Sequence, residues 1–151
     1  MNKTNLSIIK IHGNQSNHFI KCLQIRKSVF VEEQHVPEEI EADEHDASAY
    51  HYLVLLNENS NRQTPIATAR WRITDKGIKI ERFAVLKPYR NNGIGSNILQ
   101  QVLNDIKPLN KEIYLHAQES AVNFYQKHNF IIIDEPFYEA NIKHFKMILK
   151  N

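Results

Sequence analysis

The stretch from Glu81 to Ile106, ERFAVLKPYRNNGIGSNILQQVLNDI, passes from a strand through a tight basic turn with two glycines into a helix. Spacing identifies the helix: Ile94, Ile98, Leu99, Val102, Leu103 and Ile106 recur on one apolar face, while Ser96, Gln100, Gln101, Asn104 and Asp105 fall on the other. Pro108 closes it. The turn in front, Arg90-Asn91-Asn92-Gly93-Ile94-Gly95, is where chemistry is expected. Glycines let a phosphorylated ligand approach the main chain, and the unpaired N–H groups and dipole of a helix N-terminus favour an anion. A pyrophosphate fits such a turn, although a Gly-x-Gly at this junction is by itself more often only a turn. Two other phosphate motifs are excluded. No Lys-Ser/Thr pair follows the glycines as a nucleotide P-loop requires, and Ile98 stands where a dinucleotide fold has its third glycine.

Upstream, the strand Ile78–Leu86 changes phase: Ile78 and Ile80 share one parity, Phe83 and Val85 the other. Either both faces are buried, or a bulge between Ile80 and Phe83 shifts the register. The turn Asp75-Lys76-Gly77 makes this strand a hairpin with Ile66–Thr74. Further back lie a polar loop from Glu58 to Gln63, a strand at Tyr50–Asn57, an acidic segment with Pro37 opening a short helix, a helix from Asn17 to about Glu33, and a first strand at Leu6–His12. Downstream, a strand at Glu112–Ala117 precedes a helix at Glu119–His128, on which Ala121, Phe124, Tyr125 and His128 share one face. Phe130–Ile133 and Ile142–Leu149 end the chain as two antiparallel strands.

The motif Arg90-x-x-Gly93-x-Gly95, after a strand ending Phe83-Ala84-Val85, resembles the acyl-CoA signature of the GNAT superfamily of N-acyltransferases. Asn123-Phe124-Tyr125 resembles that family's Asn-Phe-Tyr helix, with Asn129 standing where the family usually has glycine. Asparagine also tolerates the left-handed C-cap conformation. The element order fits over essentially the whole chain, and the resemblance implies a single domain of mixed α+β class, with a mostly antiparallel twisted sheet of about seven strands flanked by about four helices. It further implies acetyl-CoA as co-substrate. The pyrophosphate would lie on the main chain of Gly93, Ile94, Gly95 and Ser96, within the turn that also holds Arg90, Asn91 and Asn92. The strand end Phe83, Ala84 and Val85 would present bulge-freed N–H groups, Asn123 would contact the cofactor, and Tyr125 would assist the departing thiolate.

Acyl transfer to an amine also needs a base. Glu81, Glu33, His116 and His144 are the candidates, with Glu81 favoured because it lies on the cofactor strand. Glu33, Arg72, His116 and His144 are the expected acceptor contacts. A second resemblance, Arg26-x3-Phe30 with Glu41-x-Asp43-x-x-Asp46 and Trp71-Arg72, is to acyl-homoserine-lactone synthases, which share the fold but lack the Arg-x-x-Gly-x-Gly turn. The competing reading of those residues is an ion network pairing Arg26 and Arg72 with Asp43 or Asp46. A non-catalytic acyl-CoA-binding regulator is the third reading.

Composition narrows the partners. The net charge of +2 hides eight acids, Glu32, Glu33, Glu38, Glu39, Glu41, Asp43, Glu44 and Asp46, in a stretch without lysine or arginine, so the remaining chain is strongly basic. Its bases are dispersed and no basic helix or base-stacking motif accompanies them, which favours a small polyanion such as coenzyme A over nucleic acid. The acidic stretch is expected to border the acceptor and favour cationic amines. No apolar run approaches a membrane span, and a cytoplasmic protein is expected. The single cysteine, Cys22, lies among Phe19, Leu23 and Ile25 and reads as a buried small hydrophobe. The eight histidines show no metal-ligand spacing, so no metal is expected. The acceptor is an amine on a small molecule or a protein, and a homodimer is left open.

Overall fold

The computed structural model describes residues 5–59 and 61–150. Ser60 of the expected polar loop lies outside them. Seven strands form one sheet: β1 (Leu6–His12), β2 (Tyr50–Asn57), β3 (Gln63–Thr74), β4 (Gly77–Val85), β5 (Ile113–Gln118), β6 (Phe130–Glu139) and β7 (Ile142–Leu149), in the order β1-β2-β3-β4-β5-β7-β6. Every neighbouring pair is antiparallel except β4 and β5, which the crossover through the central helix makes parallel. The α-helices are α1 (Asn17–Arg26), α2 (Glu38–Glu41), α3 (Ile94–Ile106) and α4 (Val122–Lys127). Among the described residues no helix is long and apolar enough to cross a membrane.

The apolar stripe expected on α3 is its buried face: Ile94, Ile98, Leu99, Val102, Leu103 and Ile106 are all buried. Burying such side chains contributes roughly 1.5–3 kcal/mol each, which fixes α3 against one face of the sheet. Tyr52, Val54, Ala69, Trp71, Ile78 and Ile80 line that face, whereas Leu53, Leu55 and Ala84 point the other way, onto Phe19, Cys22 and Ile25 of α1. Cys22 is fully buried there.

The phase change in β4 is a bulge. Thr68 pairs with Ala84 and Arg70 with Glu81, so Ala69 faces both Arg82 and Phe83, and Arg82 takes the left-handed conformation (φ 51°). Ile78 and Ile80 therefore share a face with Phe83 and Val85, all packed on the α3 side. The second consequence is separation. β4 pairs with β5 only from Ile78–Ile113 to Ile80–Leu115, while β5 stays paired with β7 out to Gln118. Past Ile80 the two parallel strands part, and a cleft of about 400 Å³ opens between them.

Two elements depart from expectation. The first helix keeps α geometry only to Arg26, then widens into π turns over Lys27–Glu33, where each turn holds an extra residue and shifts the phase of the residues beyond it. Val29 stays buried and Phe30 reaches the cleft. β6 does not stop at Ile133 but continues to Glu139 through an irregular step at Asp134-Glu135-Pro136. β6 is an edge strand, so Pro136 interrupts no required hydrogen bond on its open side, and Asp134 absorbs the kink at φ 63°.

Candidate active site

Two helix ends meet across an aromatic cluster, of which Phe83 and Tyr125 line the cleft. One is the turn before α3. Asn91 (φ 65°) and Gly93 (φ 77°) are left-handed, and the first helical bond runs from Asn97 N–H to Gly93 C=O, leaving the N–H groups of Ile94, Gly95 and Ser96 without helical partners. No side chain caps them. Asn92 stiffens the turn by donating to the carbonyls of Tyr89 and Arg90, and Ser96 Oγ lies 3.0 Å from His128 Nε2. The other end is α4. A Cβ placed on Gly95 would sit 3.4 Å from the Phe124 ring and 3.8 Å from Phe83, and Tyr125 packs against both rings. The helix N-terminus and the Tyr125 phenol thus meet across one aromatic cluster.

Tyr125 lines the cleft, and its hydroxyl has no hydrogen-bond partner among the described residues. Burial pushes its pKa up, so at neutral pH it is a proton donor. Phe83 also lines the cleft. Asn123 is exposed on α4 and does not line it. Arg90 turns away from the glycine turn: its Nε donates to Val85 C=O at 2.8 Å and its other nitrogens to Glu33 at 2.8 and 3.1 Å. An expected cofactor contact and an expected acceptor contact are therefore bonded to each other, and neither lines the cleft.

Glu81 has a different part from the one expected of it. Its carboxylate accepts from Arg70 and from Arg72 Nε (2.7 Å), with Lys79 at 3.3 Å. Burial pushes its pKa up, but these cations outweigh burial and hold it below the ordinary value, which makes it a poor proton acceptor. Arg72 is spent on this pair and does not reach the cleft. Of the four residues expected to contact the acceptor, His116 and His144 line the cleft. His144 Nδ1 is 2.7 Å from Ile142 C=O. His116 stands on β5 where β4 departs, its ring edge-on to Phe137 with centroids 4.9 Å apart.

The acidic stretch is largely internal. Arg26 donates to Glu41 and to both Asp46 oxygens (2.9 and 3.2 Å), while Arg70 donates to Asp43 (2.7 and 3.0 Å), Asp46 (2.8 Å) and Glu81. Arg82, from the bulge, adds Asp43 at 3.0 Å and Glu41 C=O at 3.1 Å. The anticipated network exists with one exchange: Arg26 takes Asp46 as expected, but Arg70 rather than Arg72 takes the remaining aspartate oxygens. Glu41, Asp43 and Asp46 consequently cast little net field on an acceptor, contrary to expectation, and Glu33 is neutralised by Arg90. What this network does is clamp the segment after α1 over the cleft.

Sequence reasoning missed Glu139, Lys79, Gln34 and Gln118 as cleft residues. Gln118 donates to Gln34 at 2.7 Å across the mouth. Glu139 lies beyond Pro136, past the apparent end of its strand, and nothing local marked it.

An uncapped helix N-terminus, a cleft between parting parallel strands and a phenol on its wall are parts that an acyltransferase uses. The chain belongs to the GNAT acetyltransferase family: the model of the acetyltransferase (GNAT) domain matches residues 12–151. It is 38% identical over 130 residues to the uncharacterized protein YyaT of Bacillus subtilis, covering 84% of this chain and 85% of that one. Over 126 residues it is 36% identical to the uncharacterized N-acetyltransferase YjcF of the same organism, covering 82% and 86%. Among solved structures, Escherichia coli ElaA superposes with a TM-score of 0.80 at 27% identity, covering 95% of this chain and 99% of that one. An acyl-CoA N-acyltransferase from Pseudomonas aeruginosa, at 23% identity, shares the fold with a TM-score of 0.82, covering 96% and 99%.

Proposed function

We propose that this chain moves an acetyl group from acetyl-CoA directly to a primary amine of a small molecule or protein. The observation that carries the reading is that the uncapped α3 N-terminus and the cleft-lining Tyr125 share one aromatic cluster, Gly95 lying against Phe124 and Phe83 and Tyr125 packing on both rings beside the opening between β4 and β5. The N–H groups of Ile94, Gly95 and Ser96 hold the pyrophosphate, and the β4 main chain past Ile80, which has no strand partner on the β5 side, is available to the thioester carbonyl. The amine nitrogen bonds to the carbonyl carbon as the C–S bond breaks; the amine gives up a proton and the departing sulfur shares that of Tyr125.

His116 is the base in this reading. Glu81 is locked by three cations, and Glu33 is bonded to Arg90 outside the cleft. An alkylamine of pKa near 10.4 must lose a proton before attack, which costs about 4.6 kcal/mol at pH 7, and a neutral imidazole in the cleft is suited to receive it. The synthase-like alternative loses its support here, because Arg26, Asp43 and Asp46 are consumed by internal ion pairs. The test is a screen of amines, small molecules and peptide N-termini, read as thiol release from acetyl-CoA. Saturable, amine-dependent release supports the reading; tight acetyl-CoA binding without release from any amine would make the protein a binding module.

A further inference from the structure

We infer that Glu139 is a positioning residue that fixes His116 with its Nε2 lone pair facing the cleft. The inference rests on the reading of His116 as the base and adds a residue that no local pattern marked. Glu139 Oε1 lies 3.4 Å from His116 Nδ1, and that nitrogen is buried with no hydrogen-bond partner among the described residues. The ring has little freedom to turn elsewhere, with Phe137 edge-on at 4.9 Å and Tyr114 at 6.0 Å between centroids. Both anchoring residues, Phe137 and Glu139, lie on the part of β6 beyond the Pro136 step, so the irregular strand is what delivers the pair to His116.

Charge singles Glu139 out. Glu41 is paired with Arg26 and Arg82, and Glu81 with Arg70, Arg72 and Lys79. Among the described residues Glu139 is the cleft carboxylate with no arginine or lysine at ion-pair distance; its neighbour is His116. His116, with burial opposing, holds the Glu139 carboxyl below its ordinary value, so it is an acceptor at neutral pH. A neutral imidazole carries one N–H. Placed on Nδ1 it meets the carboxylate; placed on Nε2 it would leave a lone pair against a negative oxygen. The first tautomer wins, and the lone pair that remains, on Nε2, is the one available to an amine. Once that nitrogen has taken the proton, the same carboxylate stabilises the imidazolium. Tyr114 on β5, Lys79, Glu81 and Arg82 from β4, Glu41 from the segment after α1, and His144 and Lys146 from β7 are titratable groups around the same cleft or beside the ring, and Glu41 and Glu81 already belong to the arginines.

The experiment is ¹⁵N NMR of the histidine rings in the free protein, assigned with His116→Ala, alongside turnover with acetyl-CoA and the amine that the screen identifies. The native protein should show His116 protonated on Nδ1. Glu139→Ala should release that preference and lower kcat about 10- to 100-fold with the KM for acetyl-CoA unchanged. Glu139→Gln should restore the tautomer, since its amide oxygen can still accept, and recover kcat only in part. An unmoved tautomer in Glu139→Ala overturns the inference whatever the turnover does. Undiminished turnover by His116→Ala instead overturns the assignment of the base, a separate result.

Discussion

Tyr125 shows how one side chain is tuned by where it sits. A free phenol and a free thiol differ by about 1.5 pK units, so complete proton transfer to a thiolate costs about 2 kcal/mol, and burial of the hydroxyl adds to that cost. In the proposed reading a shared proton is therefore the form its help takes. Tyr125→Phe is expected to lower kcat roughly 10- to 1,000-fold with little change in acetyl-CoA affinity, as separate turnover and binding titrations would show; equal turnover would return Tyr125 to simple packing. Asp43 is tuned the opposite way. Burial pushes its carboxyl up, but hydrogen bonds and charge from Arg70 and charge from Arg82 hold it down at about 2. A carboxyl depressed on folding contributes stability that is present above its unfolded pKa of about 4 and is lost as pH falls toward about 2. Asp43→Asn should thus cost about 1–2 kcal/mol at pH 7, discounting for partial exposure, and flatten the acid limb of the stability profile between about pH 4 and pH 2. Urea melts across that range would check it.

Among the elements, α3 is the one whose start and end matter most to function. Its N-terminus offers N–H groups because Gly93 caps it without a side chain and Gly95 leaves space beside Phe124. A methyl at position 95 meets the Phe124 ring at 3.4 Å, a contact that the fold can accommodate; in the proposed reading it also narrows the approach of the pyrophosphate to the main chain. Gly95→Ala is expected to leave the thermal midpoint unchanged or slightly raised, alanine being the better helix former, while weakening acetyl-CoA by about 1 kcal/mol or more. Unchanged affinity in a calorimetric titration would remove the pyrophosphate from this turn. The helix itself was legible because its apolar stripe repeats for 13 residues and ends at a proline. The C-terminal half of the first helix and the second half of β6 were not. A π turn keeps the composition of a helix while changing its phase, and a proline in an edge strand looks the same in sequence as a proline that ends one.

Across the whole molecule, one buried charge cluster ties together elements far apart in the chain. Arg70 is almost wholly buried and binds Asp43, Asp46 and Glu81, joining the segment after α1 to β3 and β4 beneath it. Removing one partner of a buried pair leaves uncompensated charge, so Arg70→Met should cost about 3–5 kcal/mol in denaturant melts. Activity should fall further than that loss of folded protein accounts for, because Gln34 and Val36 on the clamped segment wall the cleft. Full activity in whatever fraction stays folded would mean that the clamp serves stability alone.

The sequence by itself determined the element order, the family, the glycine turn before α3, the change of phase in β4 and the tyrosine on α4. Each of these is written in contiguous residues, as a period, a glycine pair, a change of parity or a short motif. Which carboxylates were free, and which histidine had one beside it, was settled only by the tertiary structure. Eight acids within fifteen residues looked like a surface field until three arginines from α1, β3 and the bulge converged on Glu41, Asp43 and Asp46. Glu81 looked like a base until Arg70 and Arg72, its neighbours across the hairpin, claimed it. Glu139 meets His116 because a kinked edge strand folds back beside β7, and charge pairing of that kind depends on distances between strands that local sequence does not encode.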